Sequence, residues 1–530
     1  MKIRLGGIAL TAIAMTMVMA SESSAQKSGG VLRIEHMDNP PSASIHEEAT
    51  VSVVVPFMAV FNNLVMFDQH VARNSFQSIV PDLATSWEWN GDGRQLSFKL
   101  RPGVQWQDGK PFTAADVKCT FDLLLEKGKE KLRRNPHSSW WSNVADVTAD
   151  GELAATFHLK ERQPSLLALL ASGYSPIYPC HVPVAEMRRK PIGTGPFKLA
   201  DFKMNESIKL VRNPNYWKKG LPYLDGIEYG IIPDRSTRML AFVSGKYDMT
   251  FPTDVSVPLL KNIQRDAPNA KCTMRTTGVS TNLIVNRDMP PFDDPRIRRA
   301  MALTLDRVAF RQILDEGQGQ LSGVMLPPPD GVWGMPPEML KTVIGYGDVA
   351  KAREEARDLM KQAGYGPDRR LKLKVSTRNI ATYRDPAVIL LDQLKHIWID
   401  SELEIIDTPV YYNRVFKKDY VVALNLTGSA VDDPDVTLFE GYACGSLRNL
   451  NNYCSPEMTK LFEAQSRETD FEKRLAMVWD IDRKLQEDIA RPIIVNGLAA
   501  ACWQPYVKNV TIHVNSIYNG WRFEDVWLER

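Results

Sequence analysis

PDLATSWEWNGDGRQLSFKLRPGVQWQDGKPFTAADV, residues 81–117, places strand, turn and helix signals in close succession. Gln95–Leu100 alternates polar and apolar side chains, which predicts a strand with one buried face. Pro-Gly and Asp-Gly turn signals follow at 101–103 and 108–111. Thr113, with an acidic residue three positions later, predicts the capping box of a helix. The stretch therefore indicates a mixed α/β chain.

The alternation of strands and helices continues on both sides of this stretch. VLRIE at 31–35 and LKLKVS at 371–376 predict strands, and a helix over 386–398 and a strand over 403–406 follow the second of them. Strand–helix–strand order predicts parallel pairing with a right-handed crossover. Ligands bind outside the carboxyl ends of such strands, so the loop at 377–379 is a candidate for the binding site.

The composition is that of an ordinary globular protein. The 530 residues are 44% hydrophobic, and 65 basic against 63 acidic side chains give a net charge of +2. This balance is ordinary for a globular protein, and it does not require a nucleic-acid partner. The length suggests two to four domains or one large two-lobed unit.

Motifs for common catalytic and cofactor sites are absent from the sequence. There is no phosphate-binding G-x-x-x-x-G-K-[ST], no G-x-S-x-G elbow and no H-E-x-x-H zinc motif. The eight histidines are scattered, and none lies four residues from another. We therefore expect no catalytic residues, no cofactor and no metal, and this pattern favours binding over catalysis.

Residues 1–25 have the features of a secretory signal peptide. Lys2 and Arg4 precede an uncharged apolar run at 5–20, and small residues at 23 and 25 offer a cleavage site. A short membrane anchor is the alternative, although the run is near the lower length limit for spanning. We expect secretion into the periplasm.

Export to an oxidising compartment favours disulfides among the six cysteines. Cys444 and Cys454 flank the loop-like segment CGSLRNLNNYC, and we expect them to pair. Closing so short a loop stabilises a fold by roughly 2–3 kcal/mol. The sequence does not decide whether the other four are paired or free: Cys119, Cys180, Cys272 and Cys502.

Several segments, in order, resemble the family 5 extracellular solute-binding proteins, the peptide/nickel class of ABC importers. Besides the opening stretch they are PIGTGPFKL (191–199), RNPNYWKKGLPYLDGIEY (212–229), PDRSTRMLAFVSGKYDM (233–249) and FDDPRIRRAMALTLDR (292–307). The resemblance covers essentially the whole mature chain.

The resemblance implies an α/β, two-lobed periplasmic binding protein fold. Lobe one, with an added subdomain, is expected over 29–282 plus 500–530, and lobe two over 283–499. Two hinge strands are expected near 282–286 and 493–497, where NLIVN and IIVNG are short β-prone segments.

The function implied by the resemblance is that of a periplasmic receptor for an ABC importer. A monomeric protein of this kind captures a small organic solute, such as a peptide-like compound, opine or glycoside, between two closing lobes. It then delivers the solute to membrane permease subunits. The alternatives are a dipeptide- or oligopeptide-specific binding protein, a secreted hydrolase, and a periplasmic chaperone on the same scaffold.

The sequence departs from the peptide binders of the family at one segment. Those members hold the peptide's amino terminus with an Asp four residues before a Pro, but in TGSAVDDPD (427–435) the position four before Pro434 is Ala430. A buried ammonium group needs a paired anion. Asp432 substitutes if the loop shifts, and Asp433 is either a ligand contact or a turn and helix cap.

A second group of candidates comes from positions that follow strands. Dipeptide-type members pair the ligand carboxylate with an Arg after a strand of lobe two, and Arg378 falls there, with a lobe-surface salt bridge as the alternative role. Asn379 in the same loop is a further candidate, and pocket walls are expected at Tyr383, Tyr411 and Tyr412. In lobe one, Asn39 leaves the carboxyl end of the first strand, and Trp140 is expected to line the side of the added subdomain. Trp140 has a core position as its alternative.

Overall fold

The computed structural model describes residues 26–530, and the expected signal peptide lies outside the described residues. The strands, in chain order, are β1 Val31–His36, β2 Val65–Phe67, β3 Ile79–Pro81, β4 Ala84–Trp89, β5 Gln95–Leu100, β6 Val144–Ala149, β7 Ala154–Leu159, β8 Phe197–Lys203, β9 Ser207–Arg212, β10 Gly226–Ile231, β11 Lys271–Val285, β12 Leu371–Arg378, β13 Ile399–Ile406, β14 Val422–Gly428, β15 Ile493–Trp503, β16 Val507–Lys508 and β17 Trp527–Leu528.

Helices cover much of the remaining chain. They are α1 Val51–Phe57, α2 Ala114–Leu124, α3 Leu166–Ala171, α4 Val184–Met187, α5 Arg235–Val243, α6 Val257–Asp266, α7 Pro295–Thr304, α8 Arg307–Asp315, α9 Pro337–Leu340, α10 Val349–Gln362, α11 Ala381–Leu394, α12 Thr408–Phe416, α13 Pro434–Tyr442, α14 Pro456–Arg467 and α15 Phe471–Glu487.

Lobe one is built on two sheets. A four-stranded sheet has the order β1-β10-β9-β8, in which β1 and β10 are parallel. A second, antiparallel sheet has the order β4-β5-β7-β6. In β5 the residues alternate between exposed and buried, as the sequence pattern predicts. Thr113 and Asp116 form the predicted capping box at the start of α2.

Lobe two is built on the β12–α11–β13 unit. β12 pairs in parallel with β13 on one side and with β14 on the other, which confirms the predicted parallel pairing. The helix between them begins at Ala381 rather than at the predicted residue 386. Its first turn was missed because Thr382, Tyr383 and Asp385 line a cavity and so do not follow the apolar pattern of a core-facing helix.

Two long strands connect the lobes. β11 pairs with β15 along most of its length, with Lys271–Thr276 opposite Leu498–Trp503 and Ser280–Asn282 opposite 493–496. The register shifts between these two halves, where Gly278 has a φ of +64°. A Cβ at this glycine would lie 3.0 Å from the carbonyl oxygen of Asn515, so the close backbone approach also favours Gly. The result is a sheet in the order β13-β12-β14-β11-β15.

All six cysteines are paired. Cys444 is bonded to Cys454, in agreement with the expectation from the sequence. The other two disulfides join residues far apart in the chain: Cys119 with Cys180, and Cys272 with Cys502. The last of these links the outer ends of the two long strands, β11 and β15.

Candidate functional site

A cavity of about 530 Å³ lies between the two lobes. Its volume is within the range typical of small-molecule sites. The lobe-one side chains that line it include Met37, Val51, Arg235, Ile517 and Tyr518. The lobe-two side chains that line it include Asp315, Arg378, Tyr383, Tyr412, Leu426 and Arg448. Most of the wall is aliphatic or aromatic, and a few charged groups interrupt it.

Arg378, at the carboxyl end of β12, is the most completely engaged of these charged groups. Its side chain is 2% exposed. Its Nη1 donates to the hydroxyls of Tyr383 at 2.9 Å and Tyr412 at 3.1 Å, and its Nε donates to Oγ1 of Thr408 at 3.1 Å. The guanidinium carbon also lies 4.6 Å and 5.0 Å from the centroids of the two tyrosine rings. This packing fixes the guanidinium plane beside the cavity.

The remaining edge of Arg378 faces lobe one. Its Nη2 donates to Oδ2 of Asp38 at 2.8 Å, and Ser52 Oγ donates to the same oxygen at 3.0 Å. Burial works against the charge of Arg378, but Tyr383, Tyr412 and Asp38 outweigh it and raise the pKa above its ordinary value. The ion pair therefore joins the two lobes across the cleft.

Arg378 was expected to pair with a carboxylate of the ligand. The arginine lines the cavity, but Asp38 of the other lobe supplies the carboxylate that meets its Nη2. Sequence reasoning did not select Asp38, although it selected the next residue, Asn39. The same criterion applies to Asp38, because it also follows the carboxyl end of β1.

Of the expected aromatic lining residues, Tyr383 and Tyr412 line the cavity. Tyr411 does not, since it is fully buried and its hydroxyl donates to the carbonyl of Leu424 and Oδ1 of Asn425, both at 3.2 Å. Adjacent residues on a helix point about 100° apart, so Tyr411 packs into lobe two while Tyr412 faces the cleft.

Two expected polar contacts lie away from the cavity. Asn379 is exposed, and its Nδ2 donates to Oδ1 of Asp407 at 3.0 Å. Asn39 accepts a hydrogen bond from the backbone N–H of Asn205 at 2.6 Å and also bonds to its side chain. Both side chains therefore serve local loop structure within their own lobes.

Trp140 belongs to a buried aromatic cluster where the lobes meet. Its ring lies 4.6 Å from that of His137 and 6.4 Å from that of Tyr174. Nδ1 of His137 bonds to Oε1 of Glu440, on α13 of lobe two, at 2.5 Å. Burial lowers the pKa of His137, which favours the neutral imidazole as the donor in this bond. Trp140 thus has the core position that was its alternative.

The acidic pair at 432–433 has two different environments. Asp433 is buried, caps α13 through the N–H of Asp435 at 2.9 Å, and holds Arg474 at 2.7 Å and 2.9 Å. Asp432 faces a separate cavity of about 50 Å³, and Nδ2 of Asn515 donates to it at 3.3 Å. Burial raises the pKa of Asp432 to about 7.

Sequence reasoning missed four further charged residues of the cavity wall, Arg235, Asp385, Arg448 and Asp315. Arg448 lies in the loop closed by the Cys444–Cys454 disulfide, and its Nη1 donates to Oε2 of Glu440 at 2.6 Å. Asp315, the last residue of α8, also lines the cavity. Neither Arg448 nor Asp315 follows a strand, and no local motif marks them.

Within residues 26–530, no three His, Cys, Asp or Glu side chains come together in an arrangement that suits a metal ion. The same part of the chain contains no helix of sufficient length and hydrophobicity to cross a bilayer.

Residues 78–448 match the sequence profile of the bacterial extracellular solute-binding proteins, family 5, and the chain belongs to this family. Among similar proteins is di/tripeptide-binding protein 3 of Pseudomonas aeruginosa, which is 25% identical over 483 residues, or 86% of each chain.

Solved structures share the fold over nearly the whole chain. Haemophilus influenzae OppA in complex with the peptide RPPGFSPFR superposes with a TM-score of 0.82 at 22% identity, covering 95% of this chain and 99% of that one. MoaA of A. tumefaciens R10, in complex with mannopinic acid, gives a TM-score of 0.82 at 21% identity, covering 95% of this chain and all of that one. At such identities the likeness shows the two-lobed fold.

Proposed function

We propose that this protein is the periplasmic receptor of an ABC importer. It captures one small organic solute between its lobes and presents the closed form to membrane permease subunits. The observation that carries the proposal is the cavity of about 530 Å³, which is walled by both lobes and lined by Arg378, whose ion pair with Asp38 joins the lobes. A site shared by two lobes is complete only when they meet, so solute binding and closure are linked.

The proposed lobes are residues 29–282 with 500–530, and residues 283–499. Two features support hinges in the long strands β11 and β15. The strands pair in two halves, and the register breaks between Thr276 and Ser280 and again near Asn282. A change of backbone angles at these breaks moves one half-sheet relative to the other without breaking the pairing inside either half.

The proposed solute is peptide-like, an opine or a glycoside. Relatives named for di- and tripeptides and for mannopinic acid support the first two classes. The wall supports a solute with an apolar body, because aliphatic side chains from both lobes face the cavity: Val51, Ile313, Leu314, Val388, Ile389 and Ile517. A dipeptide- or oligopeptide-specific receptor is the second candidate, supported by the peptide-binding relatives.

Stoichiometric binding without turnover separates a receptor from a hydrolase. The ligand-stripped mature protein is heated with Met-Leu, N-acetyl-Met-Leu, mannopinic acid, an alkyl glucoside and an unfolded casein fragment. A solute at 100 times its Kd stabilises the folded state by about 2.7 kcal/mol. We expect a shift with a small solute that is recovered unchanged. Cleavage of the solute, or a shift with the unfolded chain alone, would show that the proposal is wrong.

A further inference from the structure

We propose that Asp315 is the anion that holds an ammonium group of the captured solute, in place of the carboxylate that is missing at position 430. The inference rests on the proposed function of a solute receptor. It names the chemistry of the solute, which is an organic amine with an apolar body.

The place where peptide-binding relatives are expected to hold an ammonium group is filled by protein here. Ala430 is 1% exposed and lies in the hydrophobic core that spans the lobes. Its carbonyl oxygen accepts from Oγ of Ser516 and from Nδ2 of Asn519, both at 2.9 Å. The adjacent cavity, which Asp432 lines, has a volume of about 50 Å³ and is too small for an organic solute. An ammonium anchor at this segment therefore has no room for its ligand.

Asp315, unlike Ala430 and Asp432, is a carboxyl group at a cavity large enough for an organic solute. It lines the cavity of about 530 Å³, and it is 5% exposed. Its Oδ2 is enclosed without a hydrogen-bond donor and packs against Gly319, where a Cβ would lie 2.3 Å from that oxygen. Oδ2 is thus turned towards Gly319, and the carboxyl group lies at the cavity wall with its other oxygen, Oδ1, free of hydrogen bonds within residues 26–530.

An unpaired carboxylate at this place is costly for the protein alone. Burial raises the pKa of Asp315 to about 7. Asp315 also lies at the carboxyl end of α8, where the negative end of the helix dipole destabilises a carboxylate. A cationic solute removes both costs when it binds, since it supplies the missing opposite charge.

The elements packed on α8 supply no cation for Asp315. On α6, Lys261 directs its ammonium to the exposed Glu316. On α11 the charged group at the cavity is Asp385, which pairs with Arg235 at 3.2 Å. β15 has no ionisable side chain, because its cysteine is in a disulfide. The neighbouring wall is aliphatic, with Ile313 and Leu314 on α8 itself, and it suits the apolar part of an amine.

The test uses pairs of probes that differ only in an acetyl group on the amine. Met-Leu, hexylamine and mannopinic acid are titrated calorimetrically at pH 8, each beside its N-acetylated form. We expect the parent protein to bind at least one free amine, and acetylation to weaken that binding. Asp315→Asn should weaken binding of the same amine about 30-fold or more, because truncating one partner of a buried charge pair has effects of that size.

Asp358→Asn is the matched control. It removes the same charge from lobe two, but Asp358 is exposed and pairs only with Lys361 at 3.2 Å. We expect it to bind the amine as the parent does.

A second readout needs no variant. Below pH 7 the parent's affinity for the amine should fall by up to tenfold per pH unit as Asp315 takes up a proton, and Asp315→Asn should lose this dependence. Equal affinity of Asp315→Asn and parent, or equal binding of an amine and its acetylated form, overturns the proposal.

The same titrations distinguish a failure of the Asp315 anchor from a failure of the receptor function. If only solutes without an amine, such as the alkyl glucoside, bind to the parent, the receptor function stands and Asp315 is not the anchor. If no small solute binds, both proposals fall together.

Discussion

Asp38→Asn tests whether the ion pair across the cleft stabilises the closed form. In the structure Asp38 meets Arg378 at 2.8 Å, and the side chains of the two residues are 11% and 2% exposed. The change leaves a buried guanidinium facing a neutral amide. Breaking a buried ion pair costs about 3–5 kcal/mol, and the amide oxygen still accepts a hydrogen bond, so we take about 2–3 kcal/mol for the net loss.

The loss acts on closure, because Asp38 and Arg378 belong to different lobes. A penalty of about 2–3 kcal/mol on the closed form alone lowers solute affinity about 30- to 160-fold. The assay is calorimetric titration at pH 7 together with the distance between fluorophores placed on the two lobes. We expect weaker binding and a larger open population in the variant.

Glu316→Gln provides the comparison for this prediction. Glu316 also pairs across the lobes, with Lys261, but the side chains are 35% and 62% exposed. Exposed pairs contribute about 0–1 kcal/mol, so the affinity should change less than about fivefold. Unchanged affinity in Asp38→Asn would show that the ion pair does not stabilise the closed form. Tighter binding would instead show that Asp38 competes with a solute carboxylate for Arg378.

Three further predictions concern stability, measured by urea denaturation. Burial raises the pKa of Asp315 from 3.8 to about 7, so the folded state binds the carboxyl proton more tightly than the unfolded state does. The free energy of unfolding should therefore fall by up to about 4 kcal/mol as the pH rises from about 4 to 7. At pH 8, Asp315→Asn should be more stable than the parent. Replacing Cys444 and Cys454 with Ser should cost about 2–3 kcal/mol, since it releases a ten-residue loop. Arg522→Met should cost about 3–5 kcal/mol, because it leaves Asp82, 3.0 Å away and fully buried, without its cation. Equal curves for parent and variant contradict the prediction in each case.

Local sequence signals predicted the elements whose pattern is set by nearby residues. The alternation in Gln95–Leu100 and the capping box at Thr113 depend on contacts a few positions away, and both are present. The start of α11 was missed for the opposite reason. Its first turn faces the cavity, so Tyr383 there has polar contacts that an apolar stripe does not describe.

The cavity wall was predictable only in part. Arg378 was selected because it follows a strand of lobe two and matches an Arg of dipeptide-type members, and Tyr412 as an aromatic pocket wall; both line the cavity. Asp38 lies 340 residues before Arg378, and no spacing rule connects them. Asp315 was missed because a single acidic residue at a helix end is common, and only its burial beside a cavity sets it apart.

Neighbouring candidates were separated by geometry that the sequence does not contain. Tyr411 and Tyr412 are adjacent, yet the phase of α12 turns one to the core and the other to the cleft. Asp433 pairs with Arg474, 41 residues further along the chain, whereas Asp432 lines a different and smaller cavity.

In the proposed function the lobes close on one small solute and release it unchanged. Small-angle X-ray scattering of the ligand-stripped mature protein, with and without the solute that gives the largest thermal shift, tests this directly. We expect a more extended molecule alone, a compact one at one solute per chain, and full recovery of intact solute. Identical scattering with and without bound solute would contradict it.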